Sequence, residues 1–226
     1  MEAFSYSFVV STLIFSSLMY LIARHGALER FSKHARVPRA VLDKFFAKKH
    51  PAITVLIPSY DEETSVIRKT LLSAALQEYP NLRIVLLVDD NPNPTNTESL
   101  HRLQQTRAVG KTISTILDVP YKRFSKAAEQ FEKIYAKNTT ISAFEISKLV
   151  SEYEWAVNWL QDMAKEEILE DHVDVFFRDQ VLLGLANDLS LIKEALTMSL
   201  REGGKLSKDR IHQLYLRLVW TFRAEF

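Results

Sequence analysis

A chain of 226 residues with 47% apolar side chains can bury one sizeable core, and its net charge of +1 is an average over unlike regions. Residues 24–50 hold eight Lys/Arg against two acids while residues 51–226 hold 21 basic and 25 acidic side chains, so the basic charge is local and implies no nucleic-acid partner. With no cysteine and no two of the six His at helical spacing, disulfides, thiolate metal sites, a Cys nucleophile and a His-based metal site are excluded, and a reducing compartment fits.

Ala3 to Ala23 (AFSYSFVVSTLIFSSLMYLIA) is a run of 21 residues without a charge. As a helix it would be roughly 31 Å long, against about 30 Å of bilayer hydrocarbon. A cleaved signal would need basic residues ahead of the run, and only Glu2 precedes it. Residues 3–23 are therefore predicted to be a transmembrane helix. The basic cluster behind it stays on the cytoplasmic side by the positive-inside rule, which puts the N-terminus outside and the rest of the chain in the cytoplasm. Residues 24–50 form a basic juxtamembrane segment with two readings. It is an interfacial segment touching anionic lipid, with Phe31, Val37, Val41, Leu42, Phe45 and Phe46 as apolar anchors, or a solvated linker.

Ala52–Tyr60 (AITVLIPSY) reads as a strand, and its near-continuous hydrophobicity predicts burial on both faces, as in a parallel sheet. A helix over TSVIRKTLLSAALQEY follows, with Thr64 or Ser65 as its cap and Pro80-Asn81 as its end. Arg83–Val88 (RIVLLV) is a second buried strand, so the three elements make a parallel βαβ unit of about 38 residues. Glu98–Val109 looks helical, and Thr112–Val119 (TISTILDV) reads as a short third strand. From Pro120 onward the pattern is helical. One helix ends at Asn138, and a Ser142/Glu145 capping box opens a second that runs to about Ile168. A third covers Val173 to about Glu202, closed by Gly203-Gly204. The last, Ser207–Phe226, has Ile211, Leu214, Tyr215, Leu218, Val219 and Phe222 in register. The apolar last segment, QLYLRLVWTFRAEF, stops mid-helix, which leads us to expect a truncated product or a fragment. Asn138-Thr139-Thr140 is a sequon in form, accidental at a cytoplasmic location.

In parallel sheets ligands bind beyond the carboxyl ends of the strands. Ser59, Tyr60, Asp61, Glu62 and Glu63 occupy one such end, and Asp89, Asp90 and Asn91 the other. Four or five carboxylates converging there would repel one another without a cation or hydrogen-bond donors. Tyr60 offers a flat face on which a base can stack, and a carboxylate beside it can accept from the base N–H. Glu63 is read as the negative first turn of the following helix. No GxGxxG and no GxxxxGK[ST] occurs, which argues against dinucleotide oxidoreductases and ordinary ATPases. LLVDDN resembles the acidic pair of response-regulator receiver domains, but there the pair ends strand one, and here it ends strand two.

The order seen here, a strand ending PSYDEE, a helix TSVIRKTLLSAALQEYPN, then a strand ending VDD, resembles the start of family 2 glycosyltransferases, most closely the membrane-bound, cellulose-synthase-like branch. The match spans about residues 52–94. The resemblance implies an α/β fold with a partial GT-A-like (Rossmann-like) parallel sheet, preceded by one transmembrane helix and followed by a mainly helical segment. Residues 51–119 would be the N-terminal part of the GT-A domain and residues 120–226 a helical insertion. It further implies that Tyr60, Asp61 or Glu62, and Asp89–Asp90 contact the nucleobase and ribose of a nucleotide sugar, with Asp90 as the base contact. UDP-sugar is the implied donor, a saccharide the acceptor, and the transfer inverting. Whole family members use Mg or Mn, but no D-x-D, no TED-like acid and no Q-x-x-R-W is present, and Asn91-Pro92-Asn93-Pro94 stands where Gly and Ser are common. No catalytic residue is assigned, and weak nucleotide binding at most, without turnover, is expected. The alternative is a non-enzymatic, membrane-tethered helical interaction protein with a vestigial α/β fragment. That reading requires an exposed apolar face on the last helix at Leu214, Leu218 and Phe222.

Overall fold

Nothing in the sequence between Glu2 and Ser32 breaks a helix except the small cost of Gly26, and the helix does not stop where the charges begin. In the computed structural model, which describes residues 2–35, 37–46, 49–135, 141–203 and 206–226, helix α1 spans Glu2–Ser32. Its Ala3–Ser32 portion is long and apolar enough to cross a membrane. The side chains of Phe4, Phe8, Leu13, Phe15 and Leu21 are all exposed. Arg24 Nη1 donates to the Tyr20 hydroxyl at 2.9 Å, and Arg30 Nε to the Gly26 carbonyl at 3.2 Å, so the first basic residues ride on the same helix. Helix α2, Arg39–Phe46, follows and leaves Val41, Leu42 and Phe45 exposed. Arg36 and Lys48 of the basic cluster, the sequon at Asn138 and the second glycine of Gly203-Gly204 lie outside the described residues.

The chain divides into two units, residues 1–50 and 51–226. The second is mostly helical around a small parallel sheet. Strand β1, Ile53–Ser59, pairs in parallel with β2, Leu82–Val88, in a register running from Ile53↔Leu82 to Ser59↔Val88. Helix α3, Thr64–Ala75, connects them and covers one sheet face with Ile67, Leu71, Leu72 and Ala75, each worth about 1.5–3 kcal/mol when fully buried, less for Ala. Its N-cap is Glu63, not Thr64 or Ser65, and the Glu63 side chain makes no cap bond.

The expected burial of both sheet faces is not found. Residues alternate, so Val55, Ile57, Ile84 and Leu86 turn toward the helices. Leu56 and Leu87, on the other face, remain 59% and 46% exposed, because no described element covers that side. The chain's last residues do reach the sheet edge. Glu225 bridges Arg83 in parallel, with the Ile84 N–H donating to the Glu225 carbonyl at 2.7 Å. Helix α8, Lys208–Thr221, therefore ends before this segment, with Phe222 as its C-cap, and the mid-helix stop read from the sequence is corrected.

The third strand is also corrected. Thr112–Val119 lies inside helix α4, Thr97–Tyr135, a single helix of 39 residues. Leu103, Thr106, Val109, Ile113, Leu117, Pro120, Phe124, Ala127, Ala128, Phe131 and Tyr135 are all buried at spacings of three or four, and that stripe overrides the β-branched content of TISTI. Pro120 removes one backbone donor without ending the helix; its ring is buried in the core stripe.

Helix α5, Ala143–Glu166, lies chiefly along α7, Leu183–Arg201, and α4 lies along α3 and α8. The Ser142/Glu145 capping box does not form. Ser142 is the N-cap but makes no side-chain cap bond, its hydroxyl pairing instead with the Tyr135 hydroxyl at 3.4 Å, and Glu145 is turned inward at 4% exposure. A capping box exists instead at Asp171/Asp174, opening the short helix α6, His172–Phe176, so Asp171 is a cap and Glu170 part of a connection. A π-helical turn, Phe177–Leu182, joins α6 to α7 and lets two residues five apart, Phe177 and Leu182, both face the core. In α8, Leu214, Leu218 and Phe222 are buried, so the exposed patch that an interaction role would need is absent there.

Two ion pairs fasten these layers. Arg123 of α4 holds Glu152 of α5 in a fork, at 2.6 and 3.2 Å, while its guanidinium lies over the Trp155 ring. Arg217 of α8 holds Glu78, in the α3–β2 connection, at 3.0 and 3.1 Å.

Candidate functional site

Parallel pairing through Ser59↔Val88 brings the two strand ends together, as the βαβ reading requires. The Asp89 N–H donates to the Ser59 carbonyl at 2.9 Å, extending the ladder by one bond. Beyond it the Asp61 N–H donates to Asp90 Oδ1 at 2.8 Å. That bond holds Asp61 in the left-handed region, φ 49°, which Asp tolerates better than most residues. The turn carries Tyr60 outward, 71% exposed.

Helix α4 closes the other side. Asn96 Oδ1 accepts from the Glu98 N–H at 3.0 Å and starts the helix, while Asn91 Oδ1 accepts from the Asn93 N–H at 3.1 Å and folds the Asn-Pro turn. Arg102, on the second turn of α4, reaches back so that its Nη1 lies 2.9 Å from Asp61 Oδ1. These elements enclose a cavity of about 290 Å³ lined by Tyr60, Asp61, Glu62, Asp90, Arg102 and Thr106 among others. Its size is near the lower end of the about 300–1,000 Å³ that ligand pockets span, which suits a nucleoside-sized group.

Of the residues singled out in the sequence, Tyr60, Asp61, Glu62 and Asp90 line this cavity. Asp89 contributes its backbone to the ladder and its side chain is not part of the lining; Glu63 lines a different cavity, beside α5 and α6. The expected convergence of four or five carboxylates is not seen. Among the described residues no three His, Asp or Glu side chains gather closely enough to hold a metal ion. For the Mg or Mn that the resemblance implies for whole family members, those residues thus offer no group of three such ligands.

Sequence reasoning missed the α4 side of the cavity. Ser99, Arg102, Leu103 and Thr106 recur at helical spacing and share one face of α4. These polar residues stand out against the apolar stripe of α4, but nothing in the sequence says that their face meets the acidic pair.

The second cavity, of about 330 Å³, is a joint between α3 and the α5–α6 connection. Arg68 pairs there with Glu167, and Lys69 with Asp174. The Lys69 ammonium, helped by the Glu170 N–H, lowers the Asp174 carboxyl to about 2. Both of its cations are thus paired within the protein, and the two pairs tie α3 to the α5–α6 connection.

Comparison of the chain with protein-family models, with curated proteins and with solved structures gives no match.

Proposed function

We propose that the cavity between the two strand ends binds the nucleoside part of a nucleotide sugar, UDP-sugar by the resemblance of PSYDEE and VDD. The chain then serves as the donor-binding part of a membrane-anchored, inverting glycosyltransferase acting on a saccharide acceptor. The observation that carries this is the meeting of Tyr60, Asp61 and Asp90 around one cavity, although Asp61 and Asp90 stand 29 positions apart in sequence.

The chemistry of the lining supports a nucleoside over a phosphate. Asp61, Glu62 and Asp90 outnumber Arg102, so the cavity favours donors such as a base N–H or ribose hydroxyls and repels a diphosphate left without a cation. Tyr60 leaves its ring open for a base to stack on. The anchor is α1, with the N-terminus outside, the cavity cytoplasmic and the basic residues that follow facing anionic lipid. The sequence holds no D-x-D and no TED-like acid, so this chain is expected to bind nucleotide without turning it over.

Calorimetric titration of the full chain in micelles with UDP tests the reading. Tyr60→Ala and Asp90→Ala should each weaken binding about tenfold or more, the size of a lost stacking or charged hydrogen-bond contact. Equal binding by all three proteins would sink the assignment. For the interaction-protein alternative, the three side chains named as its contact, Leu214, Leu218 and Phe222, are buried.

A further inference from the structure

Arg102 is a cation placed on the wall of a cavity whose charged lining is otherwise three carboxylates, Asp61, Glu62 and Asp90. Its partner there is Asp61, whose main-chain N–H is itself held by Asp90. The Arg102–Asp61 pair is open to solvent and therefore weak, so a ligand can compete for it. One turn further along α4, Thr106 is only 2% exposed and lines the same cavity. Helix α4 thus presents a guanidinium fork on one face, opposite the Tyr60–Asp61 turn and Asp90.

Resting on the nucleoside reading above, we infer that Arg102 is the residue that selects uracil over cytosine. Its fork donates to a base carbonyl while a neighbouring carboxylate, Asp61 or Asp90, accepts from the adjacent ring N–H. Uracil offers that pair of groups at N3–H and the carbonyl beside it. Cytosine, held in the same pose by its ribose, turns an N3 lone pair toward the carboxylate and an amino group toward the guanidinium, so two contacts become repulsive. A phosphate is a poorer occupant, since it would have to approach Asp61, Glu62 and Asp90 to reach Arg102.

The test is calorimetric titration of the full chain in micelles with UDP, CDP and inorganic pyrophosphate. Wild type is compared with Arg102→Gln and Arg102→Lys, each checked for an unchanged unfolding midpoint. UDP should bind wild type at least about tenfold tighter than CDP. That ratio should fall toward one in Arg102→Gln, and in Arg102→Lys, which keeps the charge but loses the planar fork. An unchanged ratio in both variants would overturn the role of Arg102 and leave the nucleoside site standing. Pyrophosphate binding that disappears with Arg102 would also overturn it, by making the residue a phosphate contact. No binding of UDP or CDP by wild type would overturn both the inference and the reading beneath it.

Discussion

At the scale of single residues, two aspartates show how one side-chain type does different work. Asp90 uses one carboxylate oxygen to fix the backbone of Asp61, so it shapes the cavity as well as lining it. Asp174 caps a helix and pairs with Lys69, and its carboxyl is held at about 2 against an ordinary 3.8. Because the folded form binds the proton less readily than the unfolded form, this pair adds stability above about pH 4. The contribution is lost as the pH falls from there toward 2. Urea unfolding followed across pH 2–6 should therefore show a shallower acid loss in Asp174→Asn than in wild type. An identical acid limb in the two proteins would remove Asp174 as its source.

At the scale of elements, α4 holds the main lesson about legibility. The segment TISTI is rich in β-branched residues and, taken alone, reads as a strand. Over a longer window the apolar positions from Leu103 to Tyr135 keep helical spacing, and long-range burial decides the outcome. Pro120, which looked like a boundary, sits within the helix because only one intrahelical bond depends on its missing N–H. Gly110 lies in the same helix, and a Cβ there would meet Phe226 at 3.5 Å, an ordinary contact. Gly110→Ala should thus stabilise the protein by about 0.5–1 kcal/mol, raising the unfolding midpoint by about 1–4 °C. A lower midpoint would mean that the α4 surface and the C-terminal segment are more tightly fitted than this contact implies. Leu218→Ala in α8 should cost about 2–5 kcal/mol in chemical unfolding, because its side chain is fully enclosed. A loss below about 0.5 kcal/mol would place that face at the surface.

At the scale of the whole molecule, the order apolar helix, βαβ unit, helical remainder was legible, since each part carries its own period or length signal. So was the cavity wall made by Tyr60, Asp61, Glu62 and Asp90, because parallel pairing forces neighbouring strand ends together. The opposite wall was not, because Ser99, Arg102 and Thr106 reach the cavity only through the direction in which α4 leaves the Asn-Pro turn, and no local pattern encodes that direction. Burial of the sheet was misjudged for a related reason. A continuous apolar run suits a strand covered on both sides, yet Leu56 and Leu87 lie open because coverage depends on what other elements supply.

The central claim is that the nucleoside site lies between the two strand ends. Amide hydrogen exchange of the full chain in micelles, with and without saturating UDP, tests it most directly. Slower exchange is expected in residues 59–63, 89–91 and 96–106, and no change is expected in residues 166–174 around the second cavity. Protection confined to 166–174, or no protection anywhere with UDP present, would contradict the claim.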